Sequence, residues 1–489
     1  MPTSGRSRLP DLNQKVVVGA VFVAAMFVNI LDITIVNVAL PAIGEDFDVS
    51  PSELGTVSVG YLVSLAVFIP ASGWLGDRFG GKRVFLTALT IFTVASVLCG
   101  LAQNVDQLVL FRVLQGVGGG LLTPVGMAMM FRVFPPEERV RASRVLMVPT
   151  ALAPALGPVL GGLLVDKVSW HWVFFINLPV GAVALVFGLL FLKEHREPSA
   201  GRFDVPGFLL AGLGFASLMY ALSEGSAKGW GTPLILGTGS AGVVLLSVMV
   251  WYELLRAPAP ILRLRLFKDR LFASTNTVML LSAGGFLGLL YAYPLMCQNA
   301  FGWSALKTGL LTFPEALGVM ITSQVVTRVY PKVGPRRLMV GGLLGIASAA
   351  VMLSFTDENT PSVAFVAILF FTGVSLAFGM VPLQAAAFAK TAPADNGAAS
   401  TLFNTMRQLG SALGVAILST VIAAVGAFHT GPGGVRTPNL DAYRAAFWAA
   451  AGIAVLAALV SLTIRDKDAE STMRKVAPTT TPEPESVTA

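Results

Sequence analysis

The amino-acid sequence predicts an all-α integral membrane protein with about 14 transmembrane helices, in two pseudo-repeated six-helix bundles plus two inserted linker helices. Three observations predict it. Of 489 residues, 54% are hydrophobic and 12% charged, about half the charged share of an ordinary globular chain. The apolar residues gather in runs of roughly 20, the length a helix needs to cross about 30 Å of hydrocarbon. Segments in the two halves of the chain repeat one another in the same order.

In order, the runs of the first half are Lys15 to Val38, Leu54 to Leu75, Val84 to Ala102, Leu108 to Met130, Val145 to Leu164 and Val173 to Leu192. Gly207 to Leu222 and Pro233 to Trp251 follow. The second half holds Leu271 to Met296, Thr308 to Val329, Leu338 to Phe355, Val363 to Phe388, Ala398 to Val425 and Ala442 to Ile464. The first run is too long for the apolar core of a cleavable signal peptide and lacks a small-residue cleavage site. The expected division is a tail over 1–14, a six-helix bundle over 15–196, an inserted helix pair with linker over 197–270, and a second bundle over 271–464. The polar, Pro/Thr-rich stretch 465–489 is expected to be a disordered tail.

Charge placement tests this layout. With the N-terminus in the cytoplasm, about 27 of the 34 Lys and Arg lie in cytoplasmic segments, about five lie outside, and two, Arg112 and Arg407, lie within helices. The first outer loop, PAIGEDFDVSPSE, has four acids and no base. Both termini are therefore expected in the cytoplasm of a multi-pass protein of a cytoplasmic membrane. The Ala/Gly/Val-rich composition hints at a bacterium. A pI near 9.5 does not imply nucleic acid, because the basic residues are spread through short loops instead of forming a patch.

Other chemistries are poorly supported. Gly76 to Lys82 matches Gly-x-x-x-x-Gly-Lys, but Arg83 stands where a phosphate loop needs Ser or Thr for Mg²⁺, and a long apolar run precedes it. Cys99 and Cys297 lie in separate apolar runs without paired or metal-ligand spacing. His171, His195 and His429 are far apart in loops. No cofactor or metal is expected, and neither an enzyme motif nor a signalling domain is evident.

The repeat is specific. RVYPKVGPRRLMV, from Arg328, follows the tenth predicted helix as DRFGGKRVF follows the second, so Gly334, Arg336 and Arg337 fall where Gly80, Lys82 and Arg83 do. GVSLAFGMVP, from Gly373, echoes GVGGGLLTP, from Gly116. Repeated halves that rock about a midplane site are the architecture of secondary transporters.

Four motifs in order give a resemblance. LDITIVNVALP from Leu31, GWLGDRFGGKRV from Gly73, LVLFRVLQGVGGG from Leu108 and ALAPALGPVLGG from Ala151 resemble those of the major facilitator superfamily, and within it the fourteen-helix drug/proton antiporter family (EmrB/QacA-like multidrug exporters). WHWVFFINLPVG from Trp170 is also similar to that family. The resemblance implies a proton-coupled exporter of lipophilic or amphipathic drugs, working as a monomer by alternating access. It implies proton coupling at Asp32, with Arg112 assisting proton exchange. It also implies a cytoplasmic gate motif of Gly73, Asp77, Arg78, Gly80, Lys82 and Arg83. There Asp77 would face the positive end of another helix while Arg78 and Arg83 pair across the halves. Gly157, Pro158, Gly161 and Gly162 fall in the motif that marks antiporters, which departs from the pattern at Ala153. Pro331 replaces Asp77 in the second-half copy, so the gate is expected to be one-sided.

The residues point the same way. Ionisable groups within membrane helices are costly, and each is a functional candidate. Asp32 lies nine residues before Pro41 and Arg112 six after Asp106, roughly 13 Å and 9 Å from the outer end, so the two can meet. Burial disfavours a carboxylate's charge and a nearby arginine favours it, which suits proton exchange, although a fixed structural pair is the competing reading. Glu315 and Arg407 stand in the second half. Glu315 is either a substrate or second proton site or the structural partner of Arg407. Asn29, Gln115, Asn404 and Gln408 are further polar candidates. Met26, Phe27, Tyr291, Phe403 and Met406 are candidate cavity residues, and ordinary helix packing competes for each. The alternative to a multidrug exporter is a dedicated exporter of one metabolite, lipid or peptide.

Overall fold

The structure, a computed structural model, describes residues 12–49, 51–196, 201–426, 428–430 and 436–473. Residues 1–11 and 474–489, most of the two expected tails, lie outside this set. The first half comprises α1 (Gln14–Phe47), α2 (Pro51–Phe68), α3 (Ser72–Phe79), α4 (Gly81–Gly100), α5 (Val105–Val133), α6 (Arg139–Lys167), α7 (Trp172–Phe175) and α8 (Asn177–Phe191). The inserted pair is α9 (Val205–Lys228) and α10 (Pro233–Leu255). The second half comprises α11 (Arg270–Asn299), α12 (Ala305–Val333), α13 (Pro335–Ser354), α14 (Ser362–Ala387), α15 (Asn396–Val425) and α16 (Leu440–Ser461). Thirteen helical segments of the described residues are long and apolar enough to span, and α2 with α3 makes a fourteenth, bent by 55°. Pro70 lies in that bend; it offers no amide to the helix ladder, and its ring crowds the preceding turn.

The halves repeat in packing as well as in sequence. α1 lies against α6 and α8, α4 against α5 and α8, and α2 against α5. In the second half α11 lies against α15 and α16, α13 against α14 and α16, and α12 against α14. Across the seam α6 meets α12 and α14, while α15 meets α3 and α5. α9 packs on α10 and also touches α2 and α15, one from each half.

The loop motif and its copy share a backbone device. Gly80 and Gly334 have φ of 98° and 84°, left-handed values that glycine adopts without a Cβ penalty, and each turns the chain into the next helix. An acid caps that helix: Glu194 accepts from the amides of Lys82 (3.1 Å) and Arg83 (3.2 Å), and Asp466 from the amide of Arg336 (2.9 Å).

Asp466 belongs to the stretch expected to be disordered, and that expectation is corrected as far as Met473. Asp466–Ala469 forms a 3-10 turn and Glu470–Met473 a single helical turn, α17. The Thr472 and Tyr330 hydroxyls bond at 2.7 Å, and Lys390 Nζ lies 2.8 Å from Asp468. The Lys390 hydrogen bond holds the Asp468 carboxyl below its ordinary range. These polar anchors, with Ala469 buried in the core and Met473 packed against it, order the segment. The all-α expectation also gains a small exception, a short antiparallel ladder of Phe428–Thr430 with Arg436–Pro438 before α16.

Candidate functional site

Asp32 and Arg112 come together inside the first bundle. Asp32 is 0% and Arg112 1% exposed, and Arg112 Nη1 donates to Asp32 Oδ2. Asp32 Oδ1 accepts from Gln115 Nε2 at 2.8 Å and Asn177 Nδ2 at 3.1 Å. Gln115 Oε1 takes a second hydrogen bond from Arg112 Nη1 at 2.7 Å. Arg112 and Gln115 are three residues apart on α5 and so share a face. The guanidinium lies 4.3 Å from the Tyr61 ring centre, a cation–π contact that offsets part of its desolvation. Asn29 donates to the Tyr61 hydroxyl at 3.2 Å.

Close helix contact makes this cluster possible. A Cβ on Gly116 would stand 2.6 Å from the Tyr61 carbonyl oxygen, and one on Gly120 2.6 Å from that of Leu65. The glycines of GVGGG therefore let α5 press against α2. Gln115 and Asn29, expected among polar candidates for substrate, bond the ion pair and its neighbour Tyr61 in this structure. Sequence reasoning missed Asn177 and Tyr61. Asn177 lies within the quoted WHWVFFINLPVG, whose asparagine opens α8, so its signal was present; Tyr61 sits in an apolar run with nothing to mark it.

Glu315 has the opposite setting. It is 8% exposed and makes no hydrogen bond or ion pair among the described residues, which corrects the alternative of a structural pair with Arg407. The two side chains go different ways. Arg407 Nε turns to Asn404 Oδ1 at 3.3 Å and stands within electrostatic reach of Tyr61 in the first half. Glu315 lines a cavity of ≈ 20 Å³, room for about one water. Its wall includes Thr150 and Pro154 of α6 and Phe286 and Thr312 of the second half, so the cavity lies on the seam. Tyr293, 2% exposed, has a hydroxyl without a partner among the described residues and lies near Glu315.

The five apolar candidates do not line this cavity. Met26 is packed in the core, Phe27 and Met406 are half-buried, and Tyr291 is 39% exposed. Phe403 is fully buried and packs against Phe388, ring centres 5.7 Å apart. Gln408 instead borders a small space between α2, α9 and α15. Asn404 reaches the first half, its Nδ2 lying 3.5 Å from Met127 Sδ.

At the end of the bundle where α1 begins and α16 finishes, the halves are joined. Asp77 is 4% exposed and faces the first turn of α15: a Cβ on Gly397 would lie 2.9 Å from Asp77 Oδ1, and Arg132 Nη2 stands 3.6 Å from the same oxygen. A helix N-terminus carries partial positive charge and favours this carboxylate. Arg139, 3% exposed, does the reverse, donating from α6 to the Phe388 carbonyl that ends α14. The Phe388 ring stacks on Phe131 at 4.2 Å. Ser72 and Thr401 hydroxyls meet at 2.9 Å, and Gly73 packs on the backbone of Gly397.

The other motif charges stay at home, a correction to the expected pairing across the halves. Arg83 lies 3.6 Å from Glu194 and Lys82 Nζ donates to the Leu189 carbonyl at 2.8 Å, both within the first half, while Arg78 is exposed. The chain leaving α8 folds back over the start of α4 and reaches these bases first. In α6, a Cβ on Gly161 would stand 3.1 Å from Ile35 and Val38 side chains of α1, and Gly157 abuts Thr34. Pro158 touches Gly309 of α12, whereas Gly162 has open space. This Gly/Pro segment of α6 thus bears on α1 just beyond Asp32 and on the other half.

Known proteins resemble the chain over most of its length. Residues 22–415 match the model of the Major Facilitator Superfamily. A putative multidrug resistance protein MdtD of Klebsiella pneumoniae is 32% identical over 91% of this chain and 94% of its own. The multidrug resistance protein B homolog of Mycobacterium tuberculosis is 31% identical over 86% and 79%. Among solved structures, the proton:xylose symporter XylE superposes with a TM-score of 0.63 at 15% identity, over 92% of this chain and 95% of that one. With its paired six-helix halves and their shared motifs, the chain belongs to the major facilitator superfamily.

Proposed function

We propose that the protein is a proton-driven exporter of lipophilic or amphipathic compounds across a bacterial cytoplasmic membrane. Both termini lie inside the cell and the halves rock to expose one site alternately to either face. One contrast carries the reading: both carboxyls are buried, yet Asp32 is fully engaged and Glu315 is bare.

Asp32 serves as the proton carrier. A proton on it neutralises the carboxylate facing Arg112, freeing the guanidinium to leave Asp32, and loss of the proton restores the pair. Glu315 meets substrate at the seam, where its unpaired carboxyl favours a cation or a hydrogen-bond donor and its apolar neighbours accept lipophilic surface. Asp77 and Arg139 hold the cytoplasmic end closed while the site faces outward. The names of the relatives support a drug as cargo, and the repeat supports rocking.

Purified protein in proteoliposomes tests the coupling. A drug that the protein exports is expected to evoke proton movement with the wild type and none with Asp32→Asn. Undiminished proton movement in that variant rules out Asp32 as carrier.

A further inference from the structure

Asp204 and Glu253 form a second group of buried acids, where α9 begins and α10 ends. They are 7% and 3% exposed, and each has one saturated oxygen and one bare one. Asp204 Oδ1 accepts from the Gly207 amide at 3.0 Å and the Tyr252 hydroxyl at 3.2 Å. Glu253 Oε1 accepts from the amides of Ile261 and Leu262, both at 3.2 Å. Asp204 Oδ2 and Glu253 Oε2 are buried without a partner among the described residues. Both carboxyls close on Gly207, where a Cβ would meet Asp204 Oδ2 and stand 2.9 Å from Glu253 Oε1.

The bases nearby are turned elsewhere. Arg202 and Arg256 are exposed, with Arg256 lying 5.8 Å from the Trp251 ring centre. Arg263 is held by Asp395 at 2.5 Å. Arg265 and Lys268, on the turn that packs against α10, are exposed, and so is Arg78 on α3. Tyr252 is a titratable neighbour that bonds Asp204 alone, and as a phenol it is neutral. Two adjacent carboxylates in such a place repel one another, and each bears the cost of burying a full charge. One hydrogen ion removes a charge and supplies the donor that the bare oxygens lack.

We propose that Asp204 and Glu253 are a proton-binding site, one hydrogen ion shared between the two carboxyls, which pins the 256–263 segment to the start of α9. That segment leads into the second half. The stretch before Asp204 is tied to the gate helix α3, since Trp74 Nε1 donates to the Gly201 carbonyl at 2.9 Å and Trp74 packs on Phe203 at 4.8 Å. Removing the proton sets two like charges against each other at this joint and loosens the hold on Ile261 and Leu262. The site is separate from Asp32 and Glu315 and stands whether or not those two drive export.

Full-length protein in lipid nanodiscs provides the test, by hydrogen exchange and infrared spectroscopy from acid to alkaline pH. Protection of the Ile261 and Leu262 amides, corrected for intrinsic exchange, is expected to fall by about tenfold per pH unit above the pair's titration. In Glu253→Gln, whose amide supplies the hydrogen permanently, protection stays level. The protonated-carboxyl band at neutral pH is expected to lose one group in Glu253→Gln and in Asp204→Asn. Wild-type protection that does not change with pH overturns the proposal, even if neither variant folds. So does a band that both variants leave intact. Protection that depends on added sodium, potassium or calcium also overturns it, by assigning the place to a metal cation.

Discussion

Glu194 and Asp466 do the same thing in the two halves: each follows the last span of its half and accepts from the first amides of that half's third span. The repeat therefore includes a side chain–backbone joint as well as helices. Replacing either acid by Ala is expected to cost about 0.5–2 kcal/mol, the range for loss of a helix cap. The two losses should add because the sites are independent. Thermal unfolding of the single and double variants measures both; a double variant no less stable than either single one contradicts it.

The Asp32–Arg112 pair makes a prediction about stability separate from transport. Asp32→Asn leaves a buried guanidinium without its counter-charge, at an expected cost of about 3–5 kcal/mol. Adding Arg112→Gln removes the stranded charge and should recover most of that stability while transport stays lost. If the double variant unfolds as readily as Asp32→Asn, the pair's charge balance is not what stabilises the bundle.

Glu315 should behave in the opposite way. Because no partner among the described residues offsets its burial, Glu315→Gln is expected to leave unfolding temperature unchanged or raise it, while binding of cationic drugs weakens. Tryptophan-quenching titrations of the folded variant provide the affinity. A destabilised variant with intact affinity would mean that the carboxylate has a structural task.

Arg139 and Asp77 brace the loop between α14 and α15 from opposite ends. Arg139→Ala and Asp77→Asn are expected to shift the protein toward opening at that end. A coupling of about 1–3 kcal/mol corresponds to a five- to 150-fold change in the ratio of states. Spin labels on the terminal ends of α3 and α15 read the separation. An unaltered distance distribution in both variants removes the latch from the scheme.

The spans, their number and the repeat were legible because lipid imposes one rule on every helix, a long apolar run. Asp32, Arg112 and Glu315 were legible for the complementary reason, since charge stands out in such runs. Partners were harder to see. Asn177 and Tyr61 reach Asp32 and Arg112 from helices distant in the chain, and neither residue type is unusual in a span. Tyr291 and Tyr293 differ by two positions, and the helical turn puts the second, not the first, near Glu315. Arg83 was assigned the wrong partner because an acid more than a hundred residues later folds back onto it. The order in residues 466–473 comes from hydrogen bonds and a few apolar contacts to surfaces the tail itself does not encode.

α9 leans on α2 of one half and α15 of the other, whereas on the opposite side α6 and α12 touch directly. The perimeter of the molecule is thus built unevenly. One side is a plain hinge of helix on helix; its pseudo-symmetric counterpart has a third body wedged in, roofing the crevice against the acyl chains. If the halves rock as proposed, the motion rolls on the first and slips along the second, so two halves nearly alike in design meet different friction.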